Sequence, residues 1–171
     1  RCTAIKLVMV HDSIAEEFAK KLSDSISSLP IGLPWQPGVK ITPLPEPKKP
    51  AYLESLIADA VVKGASVINA GDGGGEQQGA LMKPAVVYPV TSDMRLWEEE
   101  QFGPVIPIAT YKNINDITAY LEKSVYGQQA SIFAKDASDA APLVDVLANV
   151  VGRINLNTQC SRSPDVLPFS G

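Results

Sequence analysis

The run Thr3–Val10 (TAIKLVMV) is nearly all apolar, with β-branched members, and it constrains the fold more than any other segment. A strand of this kind needs cover on both faces, which is the situation of a parallel sheet rather than of a half-solvated hairpin. An amphipathic helix follows at once. Ser13 and Glu16 give a capping-box pattern, and Ile14, Phe18, Leu22 and Ile26 recur every fourth residue, predicting a helix that reaches about Leu29. Between Pro30 and Pro50 stand seven of the fourteen prolines, so that stretch is a loop and not a helix or a central strand. A second helix is expected to start at Pro50, where a missing N–H costs nothing, with Leu53, Leu56, Ile57 and Ala60 turned inward.

Further along, Ser66–Ala70 and Ala85–Val90 read as two strands of a hairpin separated by the glycine cluster Gly71–Gly79. Val105–Tyr111 is another strand, Ile114, Ile117 and Leu121 mark a third helix, and Gly127 separates it from a strand at Ala130–Ala134. Asp136 can cap a fourth helix running to about Val150, with Leu143, Val144 and Leu147 on its buried side, before a last strand at Gly152–Asn157. Strands alternating with helices define the expected class: α/β, an open, largely parallel twisted sheet with helices on both faces.

With 45% of its 171 residues hydrophobic, the chain can build one continuous core as a single domain, without disulfides or a structural metal. Nineteen acidic against fifteen basic residues give a net charge of −4 without any block of like charge, so neither nucleic acid nor an acidic membrane surface is an expected partner. No apolar run approaches the roughly 20 residues that span a bilayer. Two cysteines suit a reducing, cytoplasmic setting, and with one histidine they offer no metal-ligand spacing, so no metal is expected.

Few residues can carry chemistry. Cys2, at the edge of an apolar strand, reads more readily as a small buried hydrophobe than as a nucleophile, although the neighbouring Arg1 favours a thiolate. His11, just before a helix start, suits a capping or solvated role better than that of a base. The glycine cluster lacks the Lys-Ser/Thr of a phosphate loop and reads as a hairpin tip. In Trp97–Pro104 (WEEEQFGP), three glutamates suit a solvated helix end, while Phe-Gly-Pro demands a sharp turn beside an exposed aromatic. Cys160, Arg162 and Asp165 follow the last strand, where open α/β sheets present ligand groups, although an ordinary surface arginine fits Arg162 as well.

Together these segments resemble the aldehyde dehydrogenase superfamily. Arg1-Cys2-Thr3-Ala4-Ile5-Lys6 is similar to its catalytic-cysteine segment, and Glu99-Glu100-Gln101-Phe102-Gly103-Pro104 to its Glu-Glu-x-Phe-Gly-Pro signature. Lys83-Pro84-Ala85-Val86-Val87 resembles the family's Pro-Thr-Val-Leu strand. Gly152 to Asn157 and Pro168-Phe169-Ser170-Gly171 resemble its closing segments, with Ser170 in place of a glycine. The resemblance implies that Cys2 is the nucleophile, that Glu100 holds the nicotinamide ribose of NADP or NAD, and that Phe102 borders the nicotinamide. On the substrate side it implies Arg1, Arg162, Cys160 and Asn157.

More narrowly, Cys160-Ser161-Arg162-Ser163-Pro164-Asp165 is similar to a loop of the non-phosphorylating glyceraldehyde-3-phosphate dehydrogenases, whose arginines bind the substrate phosphate as a bidentate pair would. The implied reaction is attack of the Cys2 thiolate on an aldehyde, hydride transfer to NAD(P)+ and hydrolysis of the thioester to the acid. Glyceraldehyde 3-phosphate is the implied aldehyde; lactaldehyde or succinic semialdehyde is the alternative, and a non-catalytic α/β interaction module is the reading from another class. In the family the general-base glutamate, the oxyanion asparagine and the dinucleotide fold precede the cysteine, and a strand-exchanging arm follows. The chain is therefore expected to be the catalytic domain cut from a longer protein, inactive alone, whose full-length form is a homodimer or homotetramer. Whether Lys48, Lys49 or Tyr52 meets the cofactor stays open, and Cys2 and Cys160 are expected near one another, within reach of oxidative linkage.

Overall fold

The computed structural model describes residues 4–161, which form two compact units, 4–111 and 112–161. In the first, β1 (Val8–His11), β6 (Val105–Tyr111) and β5 (Ala85–Tyr88) are parallel neighbours, and β2 (Ser66–Val67) pairs antiparallel with β5. Register is set by Val8 opposite Ile108 and Ala85 opposite Val105. Successive side chains of β5 take opposite faces, as the pleat requires. Val86 joins Val10, Ile108 and the buried face of α1 (Ala15–Ser27), whereas Ala85 and Val87 join Leu53, Leu56 and Ala60 of α2 (Lys49–Val62). One helix thus covers each face, as the largely parallel α/β class requires.

The hairpin between β2 and β5 forms as expected, with Ser66 opposite Tyr88. Its long connection carries a smaller antiparallel pair, β3 (Gln77–Gln78) and β4 (Leu81–Met82), with Gly79 at φ 60° in the turn. Beside β2, Asn69 is buried and continues the ladder with its amide: Val86 N–H donates to Oδ1 at 3.0 Å, and Nδ2 donates to Pro84 O at 2.8 Å. Residues 30–48 hold neither helix nor strand beyond one bridge between Ile31 and Ile41. Helix α2 begins at Lys49 with Pro50 in its first turn, and Leu53, Leu56 and Ala60 are buried as the spacing predicts.

Three local expectations differ. Strand β1 begins at Val8 rather than at Thr3, because the carbonyls of Ile5 and Lys6 bond to the Gln101 side chain instead of to a ladder. No Ser13–Glu16 capping box forms: the chain makes a 3-10 turn at Asp12–Ile14, capped by His11, whose Nδ1 accepts from Ser13 N–H at 3.3 Å. That capping role is the one expected of His11. The buried face of α1 is Ala15, Ala19, Ser23 and Ile26, while Ile14 is 54% exposed. Small alanines let the helix backbone approach the sheet, so the larger apolar residues move to its flank.

In the second unit, β7 (Ala130–Ile132) and β8 (Ile154–Leu156) are parallel, with Ala130 opposite Ile154. Helix α4 (Ile114–Leu121) starts at a capping box made by Asn113 and Asp116, and α5 (Ala137–Leu147) follows β7. Asp136 stands at the N-cap of α5 without making a side-chain cap bond. Ile132, Ala140 and Leu147 are the buried centre of this unit, with Leu143 and Val144 packed against them.

The rotated face of α1 gives a direct test. Ala19→Leu should destabilise the chain by about 1–3 kcal/mol through overpacking, whereas Ile14→Ser should stay within ~0.5 kcal/mol, both read by urea unfolding.

Candidate functional site

A short helix, α3 (Arg95–Glu98), delivers the chain to the Glu99–Pro104 segment. Four residues cannot sustain a helix in water, so both ends are held from outside. At its start, Arg95 N–H donates to Asp59 Oδ2 of α2 at 2.8 Å, and this bond with the nearby Lys63 ammonium holds the Asp59 carboxyl below its ordinary range. At its end, Lys6 Nζ donates to Leu96 O at 2.8 Å and Trp97 O at 3.2 Å. Burial pushes the Lys6 ammonium down to about 8, against the pull of Glu100, Glu98 and Glu99. The Arg95 guanidinium forks onto Glu99, at 2.6 and 2.9 Å, and lowers that carboxyl as well.

Beyond α3 the side chains alternate. Glu100 is exposed, Gln101 is completely buried and Phe102 is 48% exposed. The Gln101 amide nitrogen reaches Ile5 O at 2.7 Å, Lys6 O at 3.2 Å and Val105 O at 3.0 Å. Tyr52 of α2 donates to Glu100 O at 3.1 Å and lies 3.3 Å from Glu99 Oε2, while Lys49 Nζ stands 5.0 Å over its ring. Phe102 has φ 43°, a left-handed conformation that costs a bulky residue roughly 1–3 kcal/mol and persists only where neighbours fix it. Gly103 follows because α2 leaves no room: a Cβ there would lie 2.6 Å from Leu53 Cδ1.

In the second unit Asn157 ends β8 with φ 51°. Its side chain acts as one more rung of the pairing, accepting from Ala134 N–H at 2.9 Å and donating to Ala134 O at 3.0 Å. Cys160 is half-buried, its Sγ 3.1 Å from Ser131 Oγ and 4.0 Å from Asn155 Nδ2. Arg153 fixes the loop by donating to Ser161 O at 2.8 Å. Arg1, Cys2 and Arg162, and with them a Cys2–Cys160 linkage, lie outside the described residues.

The exposed aromatic in a sharp turn at Phe-Gly-Pro was legible in sequence. What holds it was not: besides the local bond from Gln101 to Val105 O, Gln101, Lys6 and Tyr52 act through contacts 47 or more residues apart in sequence. No local pattern in Glu100-Gln101-Phe102 marks the glutamine as the buried one. Among the described residues no group of histidines, cysteines and carboxylates could hold a metal, and no helix is long and apolar enough to cross a membrane.

Residues 1–171 match the model described as the aldehyde dehydrogenase family. The chain belongs to the aldehyde dehydrogenase family. An NADP-dependent glyceraldehyde-3-phosphate dehydrogenase of Streptococcus equinus is 37% identical over all 171 residues, which are 34% of its length. A succinate-semialdehyde dehydrogenase [NADP(+)] of Deinococcus radiodurans is 33% identical over 99% of this chain and 35% of its own. The crystal structure of NADP-dependent glyceraldehyde-3-phosphate dehydrogenase from Bacillus halodurans C-125 complexed with NADP aligns with a TM-score of 0.89 and 38% identity, over 99% of this chain and 34% of that one. The chain spans about a third of the length of the curated relatives it matches.

Two outcomes test the anchored turn. Gly103→Ala should cost about 1–3 kcal/mol, and combining it with Leu53→Ala should cost less than the sum of the two, since the truncated leucine vacates the space the new methyl needs. For Lys6, a folded value near 8 below an ordinary 10.5 means that the burial penalty is full below about pH 8 and fades as pH rises towards 10.5. Urea unfolding at about pH 7.5 and about pH 10 should therefore show wild type gaining stability relative to Lys6→Met at the higher pH.

Proposed function

We propose that this chain is the cysteine-bearing part of an NADP-dependent aldehyde dehydrogenase that oxidises glyceraldehyde 3-phosphate to 3-phosphoglycerate. The observation that carries the reading is the Glu100–Phe102 turn: an exposed carboxylate and an exposed ring on a backbone tied to α2 and to the residues that follow Cys2. The donor set suits a dinucleotide. A carboxylate accepts from ribose hydroxyls, and an aromatic face offers an apolar surface to a flat heterocycle. When bound, NADP+ supplies the acceptor for the hydride that leaves the substrate carbon.

The remaining steps belong to the chain. The Cys2 thiolate adds to the aldehyde carbon, the carbon is held on sulfur as a thioester once oxidised, and water releases the acid and returns the thiolate. Arg1, next to the nucleophile, favours the ionised thiol. Arg1 and Arg162 supply planar, permanently charged donors for the dianionic phosphate. Cys160 borders the same substrate side, and Asn157 sets the end of β8 from which that loop departs.

The similarity to a succinate-semialdehyde dehydrogenase supports a second reading, because the same guanidinium groups would pair with a substrate carboxylate. The wild-type preference between the two aldehydes separates these readings, and Arg162→Gln, made in the enzyme that carries this chain in full, tests the phosphate role. Efficiency on glyceraldehyde 3-phosphate should fall by about 1.5–3 kcal/mol, roughly 10- to 150-fold, with a smaller loss on a neutral aldehyde. An unchanged efficiency on the phosphorylated substrate would remove the phosphate role. A wild-type preference for succinic semialdehyde would favour the second reading.

A further inference from the structure

Two side chains tie the segment after Cys2 to the Glu100–Phe102 turn, and they do so reciprocally. From the turn, the Gln101 amide nitrogen reaches back to the carbonyls of Ile5 and Lys6, three and four residues beyond Cys2 in sequence. From that segment, Lys6 Nζ reaches forward to the carbonyls of Leu96 and Trp97, just before the turn. Gln101 thus holds the backbone of Ile5 and Lys6, and Lys6 holds that of α3.

A core glutamine is a costly way to fill space. Its burial is complete, its Oε1 has no hydrogen-bond partner among the described residues, and a buried unpaired carbonyl destabilises the fold. An apolar side chain of similar volume would avoid that cost. What it could not do is direct two N–H donors, one hydrogen being shared, at three carbonyls, two of which lie before β1 begins and the third on β6. Side-chain direction matters too: Gln101 points inward while Glu100 and Phe102 on either side are exposed, so this anchor, with the Tyr52 hydroxyl on Glu100 O, sets the placement of both.

The geometry points to Gln101 and Lys6 as positioning residues that hold the Glu100–Phe102 turn in fixed register with Ile5 and Lys6, the stretch that follows Cys2 in sequence. This rests on the proposed assignment of Cys2, Glu100 and Phe102. Neither residue touches substrate or cofactor; both act through the backbones they bind. A loosened clamp should let the turn and the Ile5–Lys6 stretch shift relative to one another, weakening NADP binding and uncoupling the reactivity of the Cys2 thiol from it, beyond any general loss of stability.

The test uses the full-length enzyme with wild type, Gln101→Leu, Lys6→Met, Lys6→Arg and a control, Ile26→Ala. Ile26 sits in the α1 core, on the other face of the sheet from Leu53. Two readouts are NADP+ affinity by fluorescence titration and the rate of Cys2 alkylation by iodoacetamide with and without NADP+. Gln101→Leu and Lys6→Met should each raise the Kd for NADP+ by about fivefold or more and abolish most of the NADP+-dependent change in alkylation rate. Lys6→Arg, which keeps the donors, should restore both, and Ile26→Ala should lower Tm without moving either.

If wild type binds NADP+ and both clamp variants keep its affinity and alkylation response within about twofold, the clamp is refuted while the functional reading stands. If wild type neither binds NADP+ nor oxidises aldehydes, the functional reading fails first. Should Gln101→Leu prove unfolded, Lys6→Met decides the matter by the same criteria. A shift in Ile26→Ala as large as in the clamp variants would also refute the proposal, since stability alone would then account for it.

Discussion

The buried amide of Gln101 is the contact on which the first unit's candidate site depends. One nitrogen bonds the lead into β1 and the start of β6, the two strands that become parallel neighbours only a few residues later. The sheet register therefore begins at a side chain rather than at a ladder bond. Phe102 can occupy a left-handed conformation because this anchor, the Tyr52 hydroxyl and the close approach of Leu53 to Gly103 leave it little alternative.

Around this anchor the molecule divides the work by face and by unit. One face of the four-stranded sheet is closed by the small residues of α1, and the other by the leucines of α2. Helix α2 also supplies Asp59, Tyr52 and Leu53 to the turn, so a single helix both covers the core and supports the candidate site. The second unit builds its own β7–β8 pair and lengthens it with the Asn157 side chain before the chain reaches Cys160.

Sequence patterns revealed the elements whose signals are local. Val105–Tyr111 is a strand over the bounds that its residues suggest, α2 starts where proline marks it, and the third helix follows its isoleucine spacing. Misplaced features have tertiary causes. The α1 stripe turned because Ala15 and Ala19 allow a closer approach to the sheet than Ile14 would, and β1 began late because its first carbonyls are used by a residue about ninety-five positions away. The motif Glu-Glu-Gln-Phe-Gly-Pro was legible as a likeness, yet its central glutamine was the unremarked position that proves to hold it together.

The central claim is that Cys2 carries the substrate carbon while it is oxidised. Its most direct test is to mix the full-length enzyme with NADP+ and glyceraldehyde 3-phosphate, quench in acid during the first turnover and locate the acyl group by peptide mass spectrometry. The account predicts a hydroxylamine-sensitive phosphoglyceryl thioester on the peptide that contains Cys2. An acyl group found on Cys160 instead, or oxidation proceeding with no thioester on Cys2, would contradict it.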